Sequence, residues 1–289
     1  FMKQSIFLFL ISLSLSAQVK GVVKDSISGE PIPFVNIWVE NENIGTTSEK
    51  NGSFKLDIKE EKVLIFSALG YETRMIKSTK VESVYLTQKV IQLEEIVLEI
   101  PKQTKEIEIG DAKKIHHKLL SGDKPWIYGK LFSYKEEYNK TLFLKNIIFY
   151  SDSEVKNAKL KIRIFEVKDS VPTDDLLYED VIVSVKKGMK KNKLDVSKYN
   201  IKIPKSGFLI GLEWLIIDEN KYDFTYTEKK IKKSFIYYAP SLIVNYSEEE
   251  SAYHYSGGKW IKSKKYDSKQ NKPWDKKVIV PAINITLTN

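Results

Sequence analysis

The sequence has 289 residues, and 42% of them are hydrophobic, which is enough apolar material for more than one core. Its formal charge is +9, yet only Arg74 and Arg163 among its 47 basic residues are arginines. Because the forked guanidinium group that reads phosphates and bases is nearly absent, we expect no nucleic-acid partner. The absence of cysteine excludes disulfides within the chain and cysteine-dependent catalysis.

The lysine excess is concentrated in adjacent pairs. These pairs are predicted to lie on solvated loops and strand faces, and attraction to anionic polysaccharide or lipid headgroups is the alternative. The pairs are Lys186-Lys187, Lys190-Lys191 and Lys229-Lys230.

The first residues have the pattern of a signal peptide. Lys3 precedes the apolar run 6–15, and the small pair Ser16-Ala17 offers a cleavage point before Gln18. The run is shorter than the roughly 20 residues that span a bilayer. We therefore assign residues 1–17 to a signal peptide and expect an exported, periplasmic protein that associates at most peripherally with the outer membrane.

Residues 18–98 contain short apolar runs separated by turn residues. Examples are "VKGVVKD", "PFVNIWVE", "SFKLDI" and "KVLIFSALGY", with glycines and the pair Asn51-Gly52 between them. Seven or so strands in about 80 residues leave no room for helices of ordinary length. The pattern predicts a small antiparallel β-sandwich.

This stretch resembles the carboxypeptidase-like regulatory domain, a prealbumin-like β-sandwich. The matching positions are Gly21, Gly29, Pro31, Val35, Gly45, Thr46, Asn51, Gly52, Phe54, Gly70 and Tyr71. Such domains occur at the N-terminus of TonB-dependent outer-membrane transporters and carry no catalytic residues. The resemblance implies a structural module of the cell envelope, with an outer-membrane protein complex as its partner.

Residues 99–124 are predicted to form a linker with one short helix. Asp111 would be the N-cap, Ala112, Ile115 and Leu119 would share a face, and Gly122 would end the helix.

Residues 125–289 contain seven further candidate strands, the clearest in the hairpin 252–266, where Gly257-Gly258 joins two alternating arms. The predicted fold is all-β, with two tandem antiparallel β-sandwiches, the first prealbumin-like and the second jelly-roll-like.

The stretch 145–217 is similar to jelly-roll, galactose-binding-like modules of bacterial adhesins and carbohydrate-binding proteins. The matching positions are Arg163, Ile164, Phe165, Pro172, Leu176, Asp195, Tyr199, Phe208, Gly211 and Glu213. This resemblance implies a sandwich that can bind polysaccharide, and such folds sometimes hold a structural calcium ion.

No motif for catalysis is present. A zinc carboxypeptidase needs H-x-x-E and a further histidine, but His116, His117 and His254 are followed three positions later by Leu119, Leu120 and Gly257. The G-x-S-x-G elbow and the glycine-rich nucleotide loops are also missing. The carboxylate clusters 174–175 and 248–250 are predicted to lie in solvent-exposed turns. We predict no catalytic residue, no metal ligand and no cofactor.

Aromatic residues are the remaining candidates for a binding surface. Flat Trp and Tyr faces stack on sugar rings, and the second region offers Tyr128 and Tyr253 together with the four predicted ligand-binding residues Trp126, Tyr255, Trp260 and Trp274. In the hairpin, Tyr255 would lie opposite Trp260, although such a pair is more often core than ligand platform. Trp214 is predicted to be core.

Three functions remain open. The first is a non-enzymatic accessory module of an outer-membrane complex, which predicts an uncovered sheet edge or apolar patch. The second is a carbohydrate-binding protein, which predicts at least two of the four aromatic residues on one accessible face. The third is a hydrolase, which needs carboxylates that converge in a deep pocket.

Overall fold

The structure is a computed structural model that describes residues 17–89, 101–112, 117–249, 251–267 and 274–289. The predicted all-β fold is confirmed: within these ranges the chain forms 23 strands and only four short 3-10 turns. None of the described helices is long and apolar enough to cross a membrane. The predicted signal peptide lies outside the described residues except for Ala17, which begins the first strand.

The first sandwich has the seven strands expected from its turn pattern. Their alternating sequences bury one side, as in Ser53–Ile58, where every second side chain is buried. The strands are β1 (Ala17–Asp25), β2 (Asn36–Val39), β3 (Gly45–Thr47), β4 (Ser53–Ile58), β5 (Val63–Ser67), β6 (Arg74–Lys77) and β7 (Ser83–Leu86). They form two sheets of order β4-β1-β7 and β3-β2-β5-β6. The pair β1 with β7 is parallel, which the prediction of a purely antiparallel sandwich did not include.

The other sixteen described strands form the second sandwich and a separate hairpin. They are β8 (Glu106–Ile109), β9 (Lys118–Leu119), β10 (Ile127–Phe132), β11 (Phe143–Ser153), β12 (Ala158–Lys168), β13 (Val171–Asp175), β14 (Val181–Val185), β15 (Gly188–Asp195), β16 (Phe208–Trp214), β17 (Lys221–Glu228), β18 (Ile231–Tyr238), β19 (Ser241–Ser247), β20 (Ala252–Ser256), β21 (Lys259–Lys262), β22 (Val278–Pro281) and β23 (Ile283–Thr288). All seven predicted strands are among them.

Two seven-stranded sheets face each other in this sandwich. The front sheet has the order β13-β12-β16-β10-β20-β21, with β14 paired to β12. The back sheet has the order β22-β19-β11-β23-β8, with β15 paired to β11 and β9 paired to β19. The apolar side chains between them form the main core, and Trp214 is among the fully buried ones, as predicted. The hairpin β17–β18 belongs to neither sheet.

The predicted linker and helix need correction. The alternating "EIEI" of β8 pairs with β23, so this part of the linker is an edge strand of the back sheet. Leu119, placed on the predicted helix, lies instead in β9 and pairs with Leu242. Pairing with β19 therefore overrides the local helical spacing. Residues 113–116, which include Ile115 and His116, and the boundary near residue 98 lie outside the described residues.

Asp25 anchors the end of β1 in the first sandwich. Its buried carboxylate accepts hydrogen bonds from the backbone N–H groups of Ile27 and Ser28, from Gln88 Nε2, all at 2.8 Å, and from the Tyr71 hydroxyl at 3.1 Å. The N–H of Ser28 contributes most to holding the pKa of Asp25 well below its usual range, and Gln88, Ile27 and Tyr71 add to it. Tyr71, which follows Gly70 in the motif, thus donates one of the hydrogen bonds of this network.

We expect Asp25 to make the protein acid-labile. Because its folded pKa is lowered, its contribution to stability is present above the unfolded pKa of about 3.9 and is lost as pH falls through the lower folded value. The melting temperatures of wild type and Asp25→Asn should therefore differ most near neutral pH, and the difference should shrink progressively as the pH falls below about 4. Thermal unfolding followed by circular dichroism across this range measures the difference, and a gap that stays constant with pH would contradict the assignment.

Candidate functional site

The first sandwich lies on the outer face of the front sheet. Phe34, ahead of β2, packs against Leu215 just after β16. The carbonyl oxygen of Phe34 accepts a hydrogen bond from Lys161 Nζ at 3.0 Å. In a second contact, Thr47 Oγ1 accepts a hydrogen bond from the backbone N–H of Ile216 at 3.1 Å. Buried polar and apolar contacts thus connect the two sandwiches.

A network of five charged side chains lies at this junction. Arg163 Nη1 donates to Glu213 Oε2 at 2.9 Å, and Arg163 Nε donates to Asp175 Oδ2 at 3.0 Å. Lys161 pairs with Asp180 at 2.9 Å between Nζ and Oδ2. The side chain of Glu213 is 0% exposed and that of Lys161 is 1% exposed. With three carboxylates and two cations, the network carries one net negative charge when all five groups are ionised.

The pKa values of the two carboxylates that share Arg163 shift in opposite directions. Burial alone would raise the pKa of Glu213, but the charges of Arg163 and Lys161 and a hydrogen bond from Asn36 Nδ2 bring it below its usual value. For Asp175 the desolvation outweighs the attraction of Arg163, and its pKa is raised. Of the two, Glu213 is the carboxylate whose surroundings favour the charged form.

A cleft opens beside this network, where strands β2 and β5 of the first sandwich face the front sheet. Its volume is about 320 Å³, at the small end of the range for ligand sites. We refer to it as the junction cleft. The residues that line it include Asn36, Trp38, Arg163, Asp175, Tyr255 and Trp260.

Two of the four predicted ligand-binding residues meet in the junction cleft. Tyr255 and Trp260 are cross-strand partners, as predicted, and their ring centroids are 5.1 Å apart. Gly257 and Gly258 both have positive φ and form the two-residue turn between them. Both rings are half-buried, since one side packs against Phe165 and its apolar neighbours.

The other two predicted residues lie elsewhere. Trp126 stacks on Trp214 with ring centroids 4.3 Å apart, and the indole N–H of Trp126 donates to the carbonyl of Ser121. Trp126 therefore lies at the edge of the main core. Trp274 stacks on Tyr246 at 5.8 Å instead of joining the hairpin aromatics. Tyr128 and Tyr253, which were weighed with them, are buried.

The carboxylates at the junction do not form a hydrolytic pair. Both Asp175 and Glu213 are held by Arg163, and Glu213 is too deeply buried to contact a substrate. Among the described residues, no group of three or more His, Asp or Glu side chains is arranged to hold a metal ion.

A second accessible surface is the two-stranded hairpin β17–β18. Among the described strands, β17 and β18 pair only with each other, in a register that sets Phe224 opposite Phe235. Alternate residues therefore place six apolar side chains on one face, which we call the hairpin strip: Tyr222, Phe224, Tyr226, Ile231, Phe235 and Tyr237. Tyr222 and Tyr237 pack at its base, whereas Phe224, Phe235 and Ile231 are 47%, 43% and 63% exposed.

The tip of the hairpin is basic. Lys229 and Lys230 form its turn with φ of 48° and 66°, values that Gly or Asn adopt more readily than lysine. Lys232 and Lys233 follow directly, and all four lysines are exposed, as are the other lysine pairs predicted to be solvated.

Sequence reasoning missed the hairpin strip because no turn residue marks its centre. The available signal was the alternation of Tyr222, Phe224 and Tyr226 with polar residues, followed by a second run ending at Tyr237. It also missed Asn36 and Asp175 as cleft residues, since their proximity depends on how the two sandwiches pack.

Comparison with known proteins identifies the first sandwich. Residues 19–98 match the family model described as CarboxypepD_reg-like domain, which confirms the predicted resemblance. The TonB-dependent receptor SusC of Bacteroides thetaiotaomicron is 30% identical over 93 residues, which are 32% of this chain and 9% of the receptor. The TonB-dependent receptor P3 of Formosa agariphila is 35% identical over 98 residues, which are 32% of this chain and 10% of the receptor. The chain thus spans about a tenth of the length of the curated relatives it matches.

Solved structures give only distant similarities. The clostridial cysteine protease Cwp84 after propeptide cleavage has a TM-score of 0.40 and 10% identity, covering 89% of this chain and 65% of the protease. The cysteine protease and lectin-like domains of Cwp84, from Clostridium difficile, give 0.38 and 10%, covering 89% of this chain and 58% of theirs. At this level neither structure informs the function of the chain. The jelly-roll resemblance of the second region stays a prediction.

Proposed function

We propose that this protein is a non-enzymatic accessory module of the cell envelope, exported to the periplasm, which docks on an outer-membrane protein through the hairpin strip. The observation that carries the proposal is the exposed aromatic face of β17–β18. Large apolar side chains clustered on a protruding surface are typical of interaction sites. The similarity of the first sandwich to parts of two TonB-dependent receptors supports the outer-membrane setting.

The hairpin favours a protein partner over a lipid surface. Both outer edges of β17–β18 lack a neighbouring strand in the described structure, so their backbone N–H and C=O groups are available for strand addition. In the apolar part of a bilayer these groups would have no hydrogen-bond partners. The lysines at the tip further favour a partner whose apolar contact surface is bordered by acidic residues.

Affinity purification tests this proposal. We expect the tagged protein, purified from detergent-solubilised native envelopes, to retain a stoichiometric outer-membrane protein that mass spectrometry identifies. The double variant Phe224→Ser/Phe235→Ser removes the centre of the hairpin strip and should lower recovery of that partner at least about tenfold. The matched control is Thr225→Ala/Ser234→Ala, because this cross-strand pair lies on the opposite face of the same strands. Recovery of the wild-type protein alone, or equal recovery by the Phe variant, would contradict the proposal.

Carbohydrate binding is the second candidate function. The observation that favours it is that Tyr255 and Trp260 line the same accessible cleft. Binding of a soluble glycan by the wild-type protein in isothermal titration calorimetry tests this candidate independently of the hairpin.

A further inference from the structure

We propose that the outer-membrane partner inserts an extended, uncharged segment as an added β-strand into a groove between β18 of the hairpin and β4 of the first sandwich. The inference rests on the proposed function, because it assigns this segment to the protein that docks on the hairpin strip. It adds the chemistry of the partner and gives the CarboxypepD_reg-like domain a part in recognition.

The groove, which we call the edge groove, has a volume of about 640 Å³, within the range of binding sites. On one side it is lined by Lys55 and Asp57 of β4, and of the described hairpin residues only those of β18 line the other side. Phe235 of the hairpin strip is one of them. The strip and the groove are therefore continuous, and one partner can occupy both.

The backbone of β18 presents hydrogen-bonding groups to the edge groove. The N–H of Tyr238 points away from β17, since it donates to Ser121 Oγ at 2.8 Å. Because backbone groups along an antiparallel strand alternate in direction, those of Ile236 and Ser234 point the same way. Both residues are exposed, and no described strand pairs with this edge. Their N–H and C=O groups are thus available to an added strand.

The other side of the groove is also a strand edge, because β4 is the outer strand of the sheet β4-β1-β7. The N–H of Val22 in β1 donates to the carbonyl of Glu82 at 3.1 Å, on the β7 side. Its register partner Ser53 therefore points away from β1. By the same alternation Lys55 and Asp57 point outward, and both are exposed. The edge groove thus has backbone groups for an extended segment on each side.

The side chains of the groove select for an apolar, uncharged segment. Ile44 and Ile236 line it and are 39% and 41% exposed, so apolar residues of an added strand would bury them. The charges that line it balance, so neither an acidic nor a basic segment gains from them. These charged residues, two of each sign, are Lys55, Asp57, Asp123 and Lys124.

Proline substitution tests the pairing with β18. Ser234→Pro removes an N–H that points into the groove and leaves the bonds to β17 in place. We expect the full-length variant to recover the partner from detergent-solubilised native envelopes at least about tenfold less well than the wild type. The matched control is Thr225→Pro, which should recover the partner like the wild type. Thr225 is the cross-strand partner of Ser234, so its N–H points away from the opposite edge of the hairpin.

A second variant and a second measurement decide the matter if Ser234→Pro fails to fold. Ile44→Lys places a charge in the groove from the first sandwich, changes no hairpin residue, and should also lower recovery of the partner. Hydrogen–deuterium exchange compares the purified complex with the free chain. Binding should slow exchange more in residues 231–238 than in residues 221–228, because only β18 gains backbone hydrogen bonds.

The outcomes separate the added strand from docking through the hairpin strip. Wild-type recovery by Ser234→Pro and Ile44→Lys, with loss of the partner in Phe224→Ser/Phe235→Ser, would overturn the added strand and preserve docking. Equal slowing of exchange in both hairpin strands would do the same. Recovery of no outer-membrane protein, or of only a second copy of this chain, would overturn both.

Discussion

Replacing Glu213 by Leu should destabilise the protein by about 3–5 kcal/mol, because the buried Arg163 loses one of its two carboxylate partners and Asn36 loses its acceptor. Glu213 is fully buried and accepts hydrogen bonds from Arg163, on its own sheet, and from Asn36 of the first sandwich. Its loss leaves Arg163 with Asp175 as its remaining ion-pair partner in the described structure and removes a polar contact between the sandwiches.

Urea unfolding followed by tryptophan fluorescence and by far-UV circular dichroism measures this effect. We expect the Leu variant to unfold at lower urea and the two probes to separate, since the sandwiches become less coupled. Glu213→Gln keeps an acceptor oxygen and should lose less stability. Glu179→Gln, at an exposed pair with Lys198, is the control and should be indistinguishable from the wild type. A Leu variant with wild-type stability would show that the ion network does not stabilise the junction.

Truncation of Trp214 to Ala should cost about 3–5 kcal/mol, as expected for the loss of a large buried aromatic side chain. Trp214 is 0% exposed, stacks on Trp126 and donates its indole N–H to the carbonyl of Pro240 at 2.6 Å. Trp214→Phe retains most of the packing but leaves that carbonyl without its donor, so its loss should be smaller, about 1–3 kcal/mol.

Chemical denaturation of both variants measures the difference, with Trp274→Ala as the control. Trp274 is only half-buried at the edge of the second sandwich, so its truncation should cost less than that of Trp214. Equal losses for Trp214→Ala and Trp274→Ala would contradict the assignment of Trp214 to the central core.

Local sequence patterns predicted those elements whose structure is determined locally. The Gly257-Gly258 turn set the register that pairs Tyr255 with Trp260, and the apolar run around Trp214 indicated that this residue belongs to the core, as it does in the structure. The turn glycines and alternation of residues 18–98 likewise indicated a sandwich of about seven strands, which the structure contains.

Long-range packing produced the features that the sequence did not reveal. The helical spacing of Ala112 and Leu119 was outweighed by pairing of β9 with β19, a contact between segments distant in sequence. Residue types do not reveal the hairpin turn at Lys229 and Lys230. Both lysines have positive φ there, a conformation that glycine or asparagine usually adopts and lysine usually avoids. The junction cleft exists only because β2 of the first sandwich lies against the front sheet, so local patterns could not place Asn36 and Trp38 beside Tyr255 and Trp260.

Site-specific photo-cross-linking in native envelopes tests the docking proposal most directly. A photoreactive amino acid replaces Phe235 in the hairpin strip or, as the control, Tyr85 on the first sandwich, whose side chain is 42% exposed and thus as accessible as that of Phe235. We predict a single cross-linked outer-membrane protein from position 235 and none from position 85. Absence of a cross-link at 235, or the same product from both positions, would contradict docking through the hairpin strip.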